Sequence, residues 1–312
     1  MTDHLVGRTA IVTGAGRGVF RAVAEQLARA GAAVVVVDSG VGVHGEGGDE
    51  SVAESVAAGI RALGARAIAC TESVSTYAGA EAIRDSALSA FGRVDVLVNG
   101  AGTIRQNMLW DMPENDFDAV IAVHLKGTWN CLRVVAPLMI EQGSGSVVNV
   151  ASGVGLFGRL ASSNYAAAKG GIIGMTRACA LDLGPLGLRV NAVCPIGFSR
   201  MIEFPEPWRE RYVTEPNRLP SPESYPPDAV APLVVYLATD AAADINGQVF
   251  DSGGGRVSWH ARPAYEGTSF LQAREGVLFG VDELAERVPV ELLHAYTNPA
   301  PRQDGPDRVW PN

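Results

Sequence analysis

The chain has 312 residues, 47% of them hydrophobic, and a formal net charge of −9. It is long enough to bury a sizeable core, and its acidic balance argues against nucleic acid as a partner. Cys70, Cys131, Cys179 and Cys194 are scattered without CxxC or metal-ligand spacing, so reduced, mostly buried thiols and no metal site are expected. No apolar run reaches the roughly 18 residues that cross a bilayer, and the first residues, MTDHLVGRT, lack the pattern of a secretory leader. No membrane association and a cytoplasmic location are expected.

Residues 9–13, TAIVT, are apolar and β-branched and predict a central strand. They lead directly into Gly14-Ala15-Gly16-Arg17-Gly18 and then a helical pattern through Ala30. A glycine-rich turn between strand and helix lets the backbone approach a pyrophosphate, and the helix N-terminus favours negative charge. The next strand, residues 33–37, ends at Asp38, about 20 residues past the glycines, where a carboxylate can accept from adenosine ribose hydroxyls. The same carboxylate repels a 2′-phosphate, and no Arg or Lys follows it closely in SGVGVHGEGG, so NAD is favoured over NADP. Asp38 also fits an ordinary solvated turn. Residues 40–48 read as a flexible insertion, with His44 a surface residue rather than a ligand.

A third strand is expected over 65–71, with Glu72, Ser73 and Val74 at its end where an adenine edge would lie. A fourth, 94–98, ends in Asn99-Gly100-Ala101-Gly102, a turn narrow enough for backbone to touch a cofactor. A long helical pattern covers 114–142, with room for a kink at Pro137. His124 lies inside it, and a lone helical histidine is ordinarily structural. Residues 146–151 form the fifth strand, and Ser152 follows. Tyr165 and Lys169 then share one face of an Ala-rich helix. An ammonium one turn from a phenol favours the phenolate, and lowers the phenol from about 10 towards the range of a general acid/base. A hydroxyl at the strand end can hold a carbonyl or alcohol oxygen beside it. An isolated YxxxK is more often an ordinary amphipathic pair, so the company this one keeps is what matters.

Residues 188–194 form the sixth strand, ending at Pro195. The stretch 196–227 reads as a mobile lid in which Met201, Ile202, Phe204 and Trp208 fit an apolar pocket lining or ordinary lid packing equally well. A short helix over 229–238 and a last strand at 249–250, followed by DSGGG, complete a domain of residues 1–255. Composition changes from about residue 256, so 256–312 is expected to be a C-terminal extension.

Taken in this order the parts resemble a classical short-chain dehydrogenase/reductase over roughly residues 5–255. The family's TGxxxGxG stands as TGAGRGVF, its NNAG as NGAG, and its Ser…YxxxK as Ser152, Tyr165 and Lys169. Its proline-glycine segment stands as Pro195-Ile196-Gly197. The resemblance implies an α/β fold, a Rossmann-type doubly wound parallel sheet in a single domain with a C-terminal extension. It implies reversible oxidation of a secondary alcohol with NAD, Ser152, Tyr165, Lys169 and His124 being the catalytic set. The implied cofactor contacts are Gly14, Arg17, Gly18, Val19, Asp38, Glu72, Ser73, Val74, Asn99, Ala101, Gly102, Tyr165, Lys169, Pro195, Ile196, Gly197 and Phe198.

Two departures matter. Phe20 replaces the last motif glycine, where a side chain could crowd the cofactor, and His124 in VHLKGT replaces the catalytic asparagine. The dehydrogenase part of multifunctional enzyme type 2 and its bacterial relatives in steroid side-chain degradation share that histidine, the glycine-rich insertion and a tail. That branch implies a bulky small-molecule substrate, a 3-hydroxyacyl-CoA or a steroid-like hydroxyl. No basic face for CoA phosphates stands out in the sequence; Arg105, Arg159 and Arg200 are candidates that fit surface or salt-bridge residues as well. The alternatives are a biosynthetic ketoreductase, or a non-catalytic binding or scaffold subunit if Phe20 blocks the cofactor site. The family also implies a homotetramer or homodimer formed through helices at 114–142 and 164–183. There Ala166, Ala167, Gly170 and Gly174 would allow close approach.

Overall fold

The computed structural model describes residues 4–197 and 223–261, together with 284, 287, 288 and 290. Strand β1 (Thr9–Thr13) and strand β2 (Ala33–Val37) are buried at every residue. Such unbroken apolar runs suit strands covered on both faces, as a parallel sheet between two helical layers requires. In chain order the elements are β1, α1 (Gly18–Arg29), β2, α2 (Ser51–Ala62), β3 (Ala67–Cys70), α3 (Tyr77–Phe91) and β4 (Val96–Asn99). There follow α4 (Glu114–Ile121), α5 (Gly127–Gln142), β5 (Gly145–Val150), α6 (Val154–Phe157), α7 (Ser163–Leu183) and β6 (Leu188–Pro195). The series closes with α8 (Ala231–Ala238), β7 (Val249–Gly253) and β8 (Arg256–His260).

The eight strands run β3-β2-β1-β4-β5-β6-β7-β8 across one sheet, parallel up to β7 and antiparallel between β7 and β8. Alternate residues of β2 feed two cores. Val34 and Val36 pack with Val23 and Leu27 of α1, Ile60 of α2 and Leu237 of α8 on one face. Val35 and Val37 pack with Ile83 of α3 and Leu132, Val135 and Met139 of α5 on the other. The chain leaves β1 towards β2 and β3 and returns to β4 on β1's other side. Such a reversal opens a crevice at the carboxyl ends of the strands.

Two local details differ from expectation. The last strand does not stop at 250: it continues to Gly253 and turns through Gly254 and Gly255 into β8. Both turn residues have left-handed φ, 56° and 73°, which suits glycine and lets a two-residue turn join antiparallel strands. Strand β8 therefore carries the sheet past residue 255, to His260. The long helical pattern is interrupted by one turn of π-helix, Ala122–Lys126, between α4 and α5, and Pro137 sits inside α5. A π turn inserts an extra residue into the helical ladder and re-aims the side chains on it. His124 is one of them.

Arg200, Met201, Ile202, Phe204 and Trp208, expected in a lid, lie outside the described residues. Cys70, Cys131 and Cys194 are buried free thiols and Cys179 a half-buried one. Among the described residues, no helix is long and apolar enough to cross a membrane, and no group of three metal-ligating side chains assembles.

Candidate active site

A cavity of about 790 Å³ opens at the carboxyl ends of the strands, a size usual for small-molecule sites. Its inner wall is the glycine turn. Gly14 has φ +69°, and a Cβ there would stand 2.8 Å from the Ala101 Cα, so only glycine lets β1's turn lie against β4's. The Thr13 hydroxyl joins the two, accepting from the amides of Gly100 at 3.0 Å and Ala101 at 3.1 Å. Asp38 at the end of β2 accepts from the amide of Gly16 on one carboxylate oxygen and of Gly40 on the other, both at 2.8 Å. Two backbone amides therefore fix the carboxylate beside the glycine turn.

Most of the expected cofactor contacts line this one cavity. Arg17, Gly18 and Val19 do so from the start of α1, Glu72, Ser73 and Val74 from the end of β3. Ala101 and Gly102 follow from β4, and Pro195, Ile196 and Gly197 from β6. Asn99 is not in the lining. Its side chain is buried and donates to Asn149 Oδ1 at 2.9 Å, because the two asparagines stand opposite each other in the β4–β5 register. Phe198 lies outside the described residues. The described lining, glycine cradle and fixed carboxylate included, fits a dinucleotide.

Phe20 also lines the cavity, which keeps its volume with the ring in the wall. The ring occupies the space a Cβ on Gly100 would need. The motif glycine that became Phe20 and the motif asparagine that became Gly100 are thus two halves of one packing arrangement.

The insertion at 40–48 is not a free loop. Val43 O accepts from the Thr103 hydroxyl at 2.9 Å and from the Ile104 amide at 3.0 Å. His44 Nδ1 lies 2.8 Å from Ile104 O, and Arg105 Nε donates to His44 O at 3.0 Å. Arg17 donates to Val41 O at 3.2 Å from the other side. Val41, His44 and Gly45 therefore form an outer wall of the cavity. Nothing in the local composition pointed to this, because the partners lie some sixty residues away. Arg105 is further engaged by Asp116 at 2.9 Å, so a carboxylate already meets its charge.

Ser152, Tyr165, Lys169 and His124 meet in the same cavity. Strand β5 delivers Ser152 and helix α7 delivers Tyr165 and Lys169 on one face. Lys169 is 3% exposed, its Nζ donates to Val150 O at 2.6 Å, and it stands 5.6 Å from the centre of the Tyr165 ring. The His124 ring meets Tyr165 edge-on at 5.1 Å. Its Nε2 lies 2.8 Å from Thr103 O, with the Thr103 amide at 3.2 Å. The shorter contact suits an Nε2–H donor, leaving Nδ1 a buried nitrogen without a hydrogen-bond partner. Gly102 leaves room for this ring, since a Cβ there would stand 2.6 Å from His124 Cε1.

The electrostatics differ from the expected direction at the phenol. Burial pushes Tyr165 above the ordinary tyrosine range, while the Ser152 hydrogen bond and the Arg159 charge pull it down. Burial also pushes Lys169 down to about 7 and His124 down to about 3, the latter helped by the Lys169 charge. Desolvation outweighs the charge of a neighbour at this depth, which helical spacing alone does not reveal.

Sheet, crevice and the Ser–Tyr–Lys cluster place the chain among the Rossmann-fold oxidoreductases that act on CH–OH groups. The chain belongs to the short-chain dehydrogenase/reductase family, whose short chain dehydrogenase profile matches residues 8–203. A 3-oxoacyl-(acyl-carrier-protein) reductase of Thermotoga maritima is 38% identical over 257 residues, 81% of this chain and 99% of the relative. Among solved structures, a short chain dehydrogenase from Mycobacterium avium matches with a TM-score of 0.78 and 36% identity, over 96% of this chain and 98% of that one. A 7α-hydroxysteroid dehydrogenase, complexed with NADH and 7-oxo glycochenodeoxycholic acid, matches with a TM-score of 0.70 and 30% identity, over 81% and 95%.

Proposed function

We propose that the protein interconverts a secondary alcohol and a ketone with NAD as its cofactor, on a bulky apolar substrate, a 3-hydroxyacyl-CoA or a steroid-like hydroxyl. The observation that carries this reading is the meeting of Ser152, Tyr165 and Lys169 in the cavity that also holds the fixed Asp38 carboxylate. A nicotinamide dinucleotide bound in the cavity supplies the hydride acceptor in oxidation and the donor in reduction. The Ser152 hydroxyl holds the reacting oxygen next to the phenol. Tyr165 takes the hydroxyl proton in oxidation and returns it in reduction. Lys169, anchored on Val150 O, holds a ribose hydroxyl, and His124 supports proton passage towards solvent. Asp38 accepts from the adenosine ribose and disfavours a 2′-phosphate, which supports NAD over NADP.

The substrate class is supported by the similarity to an enzyme named for 3-oxoacyl groups and to one that binds a bile-acid ketone. The first of these also favours a second reading, ketone reduction in biosynthesis. The volume left beside Phe20 supports catalysis over a non-catalytic scaffold. The free thiols support a cytoplasmic location. A homotetramer or homodimer is supported by exposed apolar residues on α5 and α7, Trp129 at 46% and Leu181 at 68%.

The decisive experiment measures turnover of acyl-CoA alcohols, hydroxysteroids and the matching ketones with NAD(H) and NADP(H), in wild type and Tyr165→Phe. Turnover with NAD(H) that Tyr165→Phe removes, while nicotinamide fluorescence still reports binding, is the expected result. Full activity in Tyr165→Phe overturns the assignment of the proton carrier, and no NAD(H) binding at millimolar concentration points to the scaffold.

A further inference from the structure

The segment between α6 and α7 brings a second cation to the phenol. Arg159 lines the cavity with Ser152, Tyr165 and Lys169, and its guanidinium carbon lies 5.8 Å from the centre of the Tyr165 ring. The Lys169 ammonium stands at nearly the same distance, 5.6 Å. The guanidinium is held in place: Nε donates to Ser162 Oγ at 3.1 Å, and that hydroxyl donates to Leu160 O at 3.1 Å. Ala161 between them takes a left-handed φ of 52°, uncommon for a residue with a Cβ, within the turn that keeps Ser162 in reach.

The two cations are not equivalent. Burial brings Lys169 to about 7, so near neutrality about half of it is a neutral amine. Burial lowers Arg159 as well, but a guanidinium starts so high that it keeps its charge throughout the working range. Among the described residues, the other groups facing the phenol bring no charge. His124 on the π turn is held neutral with a pKa of about 3. Cys194 on β6 is pushed up to about 12, with Asp251 on β7 acting on that thiol. Ser152 contributes a hydrogen bond.

We propose that Arg159 is a positioning residue for proton transfer, the permanent positive charge that sustains the Tyr165 phenolate from the face of the ring. Lys169 is then the pH-dependent member of the pair. This rests on the reading of Tyr165 as the group that exchanges the proton, and it gives Arg159 a task other than binding CoA phosphates.

The test titrates the full-length protein without added ligand and follows the phenolate band in the near ultraviolet. Subtracting Tyr165→Phe in each background isolates residue 165 from the other tyrosines. In Arg159→Met the midpoint of residue 165 rises by about one pH unit, and in Arg159→Lys by less than about half of that, because a cation is restored. If thermal melting shows that Met disturbs the loop, Arg159→Gln takes its place. The basic shift of the pH profile of kcat/KM for alcohol oxidation follows the same order. Coincident midpoints in wild type and the charge-free variant overturn the proposal, as does a residue 165 that fails to titrate before the fold is lost. Turnover surviving in Tyr165→Phe is a separate outcome, and it overturns the underlying reading instead.

Discussion

His124 is charged or neutral according to its depth, and that makes it a measurable liability in acid. Its ring is 2% exposed and its pKa is lowered from 6.5 to about 3, so between those values the unfolded chain binds a proton that the folded chain refuses. Stability then falls as pH drops from about 6.5 towards about 3, the sign expected when the unfolded state takes up more protons. His124→Asn, which restores the family's residue, should flatten the melting temperature across this window relative to wild type. Parallel curves for the two proteins would show that the buried ring carries no such penalty. Ser152, Tyr165 and Lys169 were legible in the sequence because strand end and helix face are local features. The direction of the Tyr165 shift was not, because it depends on burial supplied by distant elements.

At the scale of elements, the glycine turn and the β4 turn work as one unit. Phe20 was visible as a departure while the glycine of NGAG drew no notice, and their coupling spans eighty positions and becomes apparent only when β1 and β4 lie side by side. Gly100→Asn should drive a side chain into the Phe20 ring and lower stability by about 1–3 kcal/mol, the usual cost of overpacking. Phe20→Ala in the same chain should recover much of that loss. A double-mutant cycle by chemical denaturation checks it, and additive penalties would mean that the two sites do not share the space. The insertion at 40–48 was illegible for a similar reason. Its glycines suggest freedom, whereas the backbone oxygens of Val41, Val43 and His44 are engaged by donors far along the chain. The hairpin to β8 was hidden because DSGGG reads as the end of a domain, while its last two glycines are the ones a tight turn needs.

For the whole molecule, the doubly wound order was legible from the alternation of apolar runs and helical patterns, and the sheet places the site at its point of reversal. Assembly is tested on the exposed end of α7. If the proposed assembly uses this face, Leu181→Glu should lower the native mass measured by light scattering with little change in the melting curve; an unchanged oligomeric mass would place the contact elsewhere, and a monomeric wild type would overturn the assembly. One consequence of the Lys169 burial concerns chemistry rather than catalysis. The chain carries just two lysines, Lys126 on the surface and Lys169 against Val150 O. With a pKa of about 7, Lys169 is in large part a free base at neutral pH, so it is a nucleophile towards a small aldehyde that can enter the cavity. Reductive methylation followed by peptide mass spectrometry should tag Lys169 at neutral pH, and added NAD should shield it while leaving Lys126 as reactive as before. A single covalent reporter inside the crevice would then read out occupancy without any substrate being known.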